Sequence, residues 1–186
     1  MKILLLTQWD ADATYFFRLK PLFYIDHPRI KVERKPYHGD ISYSFFDGYD
    51  VLVLERPSGV HDLHVIKLAK QCGLKVVSDW DDDCLHLPEM NPMFHTYEDA
   101  KQTVCECIAE SDQVWVSTKG VKRSFTLLNR NIHVIPNCHD NYLFKVEDKK
   151  PFNPKENKVI WRGGGSHQPD VYEKGEFIVD MVNNNP

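Results

Sequence analysis

Short apolar runs alternate with segments of helical periodicity along most of the chain. The apolar runs predict buried β-strands. They cover residues 3–6, 51–54, 75–78, 114–116, 132–135 and 159–161, with a weaker run at 30–32. Apolar residues spaced three and four apart predict helices between these strands. The helices cover residues 61–72, 97–110 with Thr96 as N-cap, 119–128 and 170–183, and a further helical segment begins near Thr14 and is interrupted by Pro21.

This alternation predicts an α/β fold, namely a Rossmann-like doubly wound parallel sheet, because the strands are apolar on both faces. Residues 147–158 contain two prolines, many charges and no aliphatic side chain, which is typical of a linker. We therefore expect a Rossmann-like domain over residues 1–146. Residues 159–186 are expected to be the incomplete start of a second domain or a tail docked on the first, since one strand–helix unit cannot bury its own apolar face.

Composition narrows the class of protein. The 186 residues include 23 Lys and Arg against 27 Asp and Glu, a net charge of −4, so no basic excess suggests nucleic-acid binding. No apolar run approaches the roughly 18 residues of a membrane span, and the start of the chain is interpreted as a buried strand rather than a signal peptide. Five cysteines, an odd number, do not suggest a disulfide scaffold, which favours the reducing cytoplasm.

Polar side chains follow most of the predicted strands. In a doubly wound sheet, ligands bind outside the carboxyl ends of the strands. The residues at those ends that we predict to contact a substrate are Trp9, Asp10, Arg56, Thr118 and Asn137. Trp9 could also stack on a sugar or a base. The alternative is that these positions are ordinary solvated loops.

The strongest local feature is the acidic run at residues 79–83, which contains Asp79, Asp81, Asp82 and Asp83. Four neighbouring carboxylates repel one another unless a cation, a helix N-terminus or substrate hydroxyls compensate. The alternatives are a Mg²⁺ or Mn²⁺ site, a phosphatase-like Asp79 and Asp81 pair, contact with sugar hydroxyls including general-base catalysis, or an exposed acidic turn. We favour contact with hydroxyls, with Asp81 and Asp82 as the catalytic candidates.

A glycine-rich turn follows the last predicted strand. It consists of Arg162, Gly163, Gly164 and Gly165, and it precedes a predicted helix. Backbone N–H groups in such a turn can approach an anion, although a plain flexible turn would have the same sequence. A structural zinc site is not predicted, because His61 and His64 have no second pair of ligands at a convincing spacing.

Five segments together resemble a known family. VLVLERP, LKVVSDWDDD, SDQVWVSTKGV, NIHVIPNCHD and VIWRGGGSHQPDV are similar to the N-terminal domain, and the first strand–helix unit of the C-terminal domain, of a GT-B fold glycosyltransferase of the group 1 kind. The resemblance covers nearly the whole chain, with residues 111–140 its most specific part and 13–48 its poorest. One departure is that Asp81 stands where members often carry a histidine.

The resemblance implies that the N-terminal domain binds the acceptor and the C-terminal domain holds a nucleotide-sugar, without an obligatory metal. It implies that Arg162 and Gly163 to Gly165 line the pyrophosphate, and that Thr118 and Asn137 border the cleft. It also implies that most of the domain that grips the nucleotide-sugar lies outside this sequence. We therefore expect little transferase activity from these 186 residues alone.

The leading hypothesis is a glycosyltransferase-like protein that passes a sugar from a nucleotide-sugar to an acceptor hydroxyl. No cofactor is expected beyond that substrate, although a divalent metal is possible. Expected partners are the nucleotide-sugar and a glycan or other hydroxyl acceptor, with a homo-oligomer or a second chain completing the fold. The alternatives are a non-catalytic glycan-binding or accessory domain and, less favoured, a Mg²⁺-dependent phosphatase.

Overall fold

The computed structural model describes residues 1–7, 14–36, 41–138, 175–177 and 179–180. The strands in these ranges are β1 (Lys2–Thr7), β2 (Lys31–Pro36), β3 (Val51–Glu55), β4 (Lys75–Trp80), β5 (Gln113–Val116) and β6 (Ile132–Val134). The α-helices are α1 (Val60–Gln71), α2 (Phe94–Glu110) and α3 (Lys119–Phe125). A π-helix (Tyr15–Leu19) continues into a 3₁₀-helix (Lys20–Tyr24), and we call the two together the N-terminal helical segment. A second 3₁₀-helix, Tyr43–Phe46, precedes β3.

The six strands form one parallel sheet in the order β2-β1-β3-β4-β5-β6. The chain steps from β1 outward to β2, crosses back to β3, and then proceeds in one direction to β6. This order confirms the predicted Rossmann-like doubly wound sheet. It is the flavodoxin-like variant with one added strand, not the 3-2-1-4-5-6 order of dinucleotide-binding domains, and its switch point lies between β1 and β3.

Helices cover the sheet on both faces for a topological reason. The crossovers from β3 to β6 all step in one direction, so right-handed connections place α1, α2 and α3 on the same face. There α1 packs over Leu54, and α2 and α3 pack over Trp80 and Val116. The step from β1 to β2 runs the other way, and the N-terminal helical segment accordingly packs on the opposite face, with Leu19 against Val53.

The predicted strands at 3–6, 51–54, 75–78, 114–116 and 132–135 are confirmed, and the weak run at 30–32 opens the longer strand β2. The predicted N-cap Thr96 is wrong. Helix α2 begins at Phe94, because Asn91 Oδ1 accepts the Met93 N–H at 2.9 Å and starts the first turn earlier. The predicted strand at 159–161 and the linker at 147–158 lie outside the described residues, while 175–177 and 179–180, within the predicted helix 170–183, are helical.

No helix within the described ranges is both long and apolar enough to cross a lipid bilayer.

Candidate functional site

Three of the residues predicted to contact a substrate, Arg56, Thr118 and Asn137, follow the carboxyl ends of strands of the sheet. At this edge, backbone hydrogen bonds between neighbouring segments continue past the strand ends. The Arg56 N–H donates to the Asp79 carbonyl at 2.9 Å, and the Ser117 N–H donates to the Trp80 carbonyl at 3.1 Å. The Ser117 hydroxyl also donates to the Asp81 carbonyl. These bonds hold the segments after β3, β4 and β5 side by side, so the edge is built on the rigid sheet.

A buried ion pair joins this edge to the N-terminal helical segment. Arg18 Nε lies 2.7 Å from Asp79 Oδ2 and Arg18 Nη2 lies 2.5 Å from Asp79 Oδ1, and each side chain is 1% exposed. Burial raises the pKa of Asp79, and the two bonds from Arg18 act against that rise. Burial alone would lower the pKa of Arg18, but the bonds and charge of Asp79 raise it above its usual value. Arg18 is therefore a permanent cation inside the fold.

The same guanidinium holds the segment that follows β6. Arg18 Nη1 donates to the Ile135 carbonyl and to Asn137 Oδ1, both at 2.8 Å. The Cys138 N–H donates to the Phe17 carbonyl at 3.2 Å, so the π-helix and this segment are attached at two points. Asn137 was predicted to contact a substrate. Its side-chain oxygen instead has a structural role as an acceptor from Arg18, although the residue as a whole is exposed.

Asp81 links the N-terminal helical segment to the end of β3. The hydroxyl of Thr14 donates to Asp81 Oδ2 at 2.9 Å, and Arg56 Nε lies 3.6 Å from Asp81 Oδ1, an ion-pair distance. The Asp81 side chain is only 15% exposed. This carboxylate is thus held between a hydroxyl and a guanidinium, which fixes its orientation.

The remaining carboxylates of the acidic run take different directions. Asp82 is exposed and lines a cavity between β4 and α2. Asp83 lies 3.0 Å from His86 Nδ1 and accepts the hydroxyl of Ser124 on α3. Repulsion within the run is relieved by these separate partners. Among the described residues, no three His, Cys, Asp or Glu side chains converge as a metal site would require.

Arg56 has an unusual backbone conformation. Its φ is +43°, in the left-handed region, which costs a non-glycine residue about 1–2 kcal/mol. Such strain persists where surrounding contacts over-determine it, and it clusters at ligand-binding positions. The N–H bond to Asp79 and the ion pair to Asp81 fix Arg56, which directs its side chain along the edge of the sheet.

The cavity between this edge and the start of α2 has a volume of about 250 Å³. Its lining consists of Arg56, Trp80, Asp82, Cys84, Leu87, Asn91, Met93 and Tyr97. Burial raises the pKa of Cys84 to about 12, so its sulfur is a thiol and not a nucleophilic thiolate at neutral pH. Burial also raises the pKa of Tyr97, whose hydroxyl therefore remains protonated.

Of the other predicted site residues, one lies in the described part of the chain and the rest lie outside it. Thr118 is exposed, and its hydroxyl oxygen accepts the Val121 N–H at 3.2 Å, which makes it the N-cap of α3. Trp9 and Asp10 lie outside the described residues, as do Arg162, Gly163, Gly164 and Gly165. Their predicted roles stay predictions.

Sequence reasoning missed three residues of this edge: Thr14, Arg18 and Tyr97. The signal for Arg18 was a lone charge inside the apolar stretch YFFRL, where a cation would need a buried partner. Thr14 and Tyr97 carry no comparable local signal, because their contacts come from segments distant in the chain.

Comparison of the chain with protein-family models gives no match, and comparison with curated protein sequences gives none either.

Proposed function

We propose that this protein is a glycosyltransferase of the GT-B type, which transfers a sugar from a nucleotide-sugar to a hydroxyl group. In this proposal, the described domain binds the acceptor that carries the hydroxyl. The observation that carries the proposal is the carboxyl edge of the sheet. There Arg56 and Asp82 line a cavity at the ends of β3 and β4, and Asp81 lies beside it, 3.6 Å from Arg56 Nε. Ligands of doubly wound sheets bind at this edge, and paired carboxylates with an arginine suit hydroxyl recognition.

In the proposed reaction, Asp82 is the general base. The carboxylate accepts the proton of the acceptor hydroxyl while that oxygen forms a bond to the anomeric carbon of the sugar. The bond from the anomeric carbon to the diphosphate breaks, and the nucleoside diphosphate leaves with the electron pair. Asp81 and Arg56 orient the acceptor, and the backbone of Arg162 and Gly163 to Gly165 would stabilise the leaving diphosphate.

Asp82 is more accessible to an acceptor hydroxyl than Asp81. The Asp81 side chain is only 15% exposed, already accepts the Thr14 hydroxyl and faces Arg56. Asp82 is exposed and lines the cavity. The phosphatase alternative is disfavoured, because its nucleophile, Asp79, is 1% exposed and bound at both oxygens by Arg18.

All five cysteines are free thiols, which supports the proposal that the protein works in the reducing cytoplasm.

Thermal denaturation with added ligands tests this function. A ligand at a hundred times its Kd stabilises the folded state by about 2.7 kcal/mol, enough to raise the Tm visibly. We expect one of the UDP-, GDP- or dTDP-linked sugars to raise the Tm, and hydroxyl acceptors to raise it independently. A rise with glycans alone would favour the accessory binding domain, and no rise with any nucleotide-sugar or acceptor would contradict the proposal.

A further inference from the structure

The lining of the cavity between β4 and α2 combines apolar side chains with a few polar groups. Trp80, Cys84, Leu87, Met93 and the ring of Tyr97 supply the apolar lining. Arg56, Asp82 and Asn91 supply the polar groups. Such a combination, mostly apolar with a few placed polar groups, is typical of small-molecule sites. A fully hydroxylated sugar would leave most of its hydroxyls against apolar surface, which is unfavourable.

One buried polar atom of the lining has no partner. Trp80 is 0% exposed, and its indole Nε1–H has no hydrogen-bond acceptor among the described residues. Buried donors are paired in the great majority of cases, and each exception needs an explanation. Trp80 lines the cavity, and we infer that its indole N–H pairs with an oxygen of a bound ligand. Because this nitrogen is buried in the structure, such a bond requires the lining to shift slightly when the ligand binds.

The volume of the cavity is sufficient for a single substituted ring. A cavity of roughly 150 Å³ lined by apolar side chains holds benzene. The present cavity of about 250 Å³ therefore has room for one six-membered ring with a small polar substituent. Asp82 can accept the proton of one hydroxyl, and Arg56 can donate to its oxygen.

From these three observations we propose that the cavity binds one apolar ring carrying a hydroxyl, a phenol-like group. This ring is the part of the acceptor that receives the sugar. The identification of the ring as the acceptor rests on the proposed function, whereas the existence and chemistry of the binding site do not.

Isothermal titration of the 186-residue chain with phenol, toluene and glucose tests the proposal. We expect phenol to bind in the millimolar range, as befits so small a ligand. Toluene, which lacks the hydroxyl, is expected to bind about fivefold or more weakly. Glucose is expected to show no binding at the same concentrations. Equal or tighter binding of glucose, or no binding of phenol, would overturn the proposal.

Three variants locate the site. Met93→Trp fills the cavity and should abolish phenol binding, whereas Met90→Trp is the matched control, because Met90 lies on the same loop, is also exposed and does not line the cavity. Trp80→Phe removes the indole N–H together with part of the ring, and it should weaken phenol binding about fivefold or more relative to toluene binding. If Met93→Trp still binds phenol as the wild type does, the assignment to this cavity is wrong.

This test separates the inference from the proposed function. Phenol binding needs neither a nucleotide-sugar nor turnover, so it can succeed when no nucleotide-sugar raises the Tm, and the site then stands without the glycosyltransferase assignment. Stabilisation by nucleotide-sugars together with a failure to bind phenol leaves the proposed function in place and refutes the phenol-like acceptor.

Discussion

Replacing Arg18 by methionine is expected to lower the free energy of unfolding by about 3–5 kcal/mol, because it leaves the Asp79 carboxylate buried without its partner. Arg18 also holds Ile135 and Asn137, so the segment after β6 should become more open to hydrogen exchange. Urea denaturation measures the loss, with Arg123→Met on the exposed side of α3 as a control expected to change stability by less than about 0.5 kcal/mol.

A second substitution checks the cause. In Arg18→Met with Asp79→Leu, no charge is buried, and most of the lost stability should return, since apolar replacements of buried ion pairs are often neutral. In Arg18→Met alone the pKa of Asp79 rises further, so the deficit should be smallest below the unfolded pKa of about 3.9 and should grow as the pH rises. A loss below about 1 kcal/mol at pH 7, or a deficit independent of pH, would show that the pair is unimportant.

Truncating Trp80 to alanine is expected to cost about 3–5 kcal/mol, as for other fully buried aromatic side chains. Trp80 is 0% exposed and packs edge-to-face on Phe125 of α3, with ring centroids 5.7 Å apart. It therefore joins the sheet to α3 and at the same time forms one wall of the cavity. Chemical denaturation of Trp80→Ala measures the cost.

Two variants separate packing from polarity at this position. Trp80→Phe keeps an aromatic ring but removes the indole N–H and part of the buried ring volume, so its cost should be clearly smaller than that of Trp80→Ala. Trp115→Ala is the matched control, because Trp115 on β5 is only half-buried and should lose less than Trp80→Ala. Equal losses for Trp80→Ala and Trp115→Ala would contradict the role of Trp80 in joining the sheet to α3.

The strands and α1 were predictable because local pattern determines them. A continuous apolar run such as residues 51–54 is compatible with a strand covered on both faces, and Leu63, Ile66 and Ala69 at helical spacing are buried on α1. The order of the strands in the sheet was harder to predict from the sequence. Alternation of strands and helices is the same for the Rossmann and flavodoxin-like orders, and only pairing across the sheet, with β1 between β2 and β3, separates them.

The location of the candidate site could be predicted from the sequence, but the contacts of its residues could not. The rule that ligands bind at the carboxyl edge identifies Arg56, Asp81 and Asp82 from the sequence alone. The partners of the acidic run were not predictable, because they come from residues far along the chain: Arg18 meets Asp79 across 61 positions. The π-helix that presents Arg18 also has no sequence rule comparable to that of an α-helix.

The most direct test of the central claim is to find where a ligand with both a ring and a sugar binds. Titration of the ¹⁵N-labelled chain with 4-nitrophenyl β-glucoside, followed by NMR, maps the contact. We expect shifts of the Trp80 indole N–H and of the backbone amides of Arg56, Asp82 and Tyr97. Shifts confined to another surface, such as the groove of about 260 Å³ beside His64 and Lys67 on α1, would contradict the account.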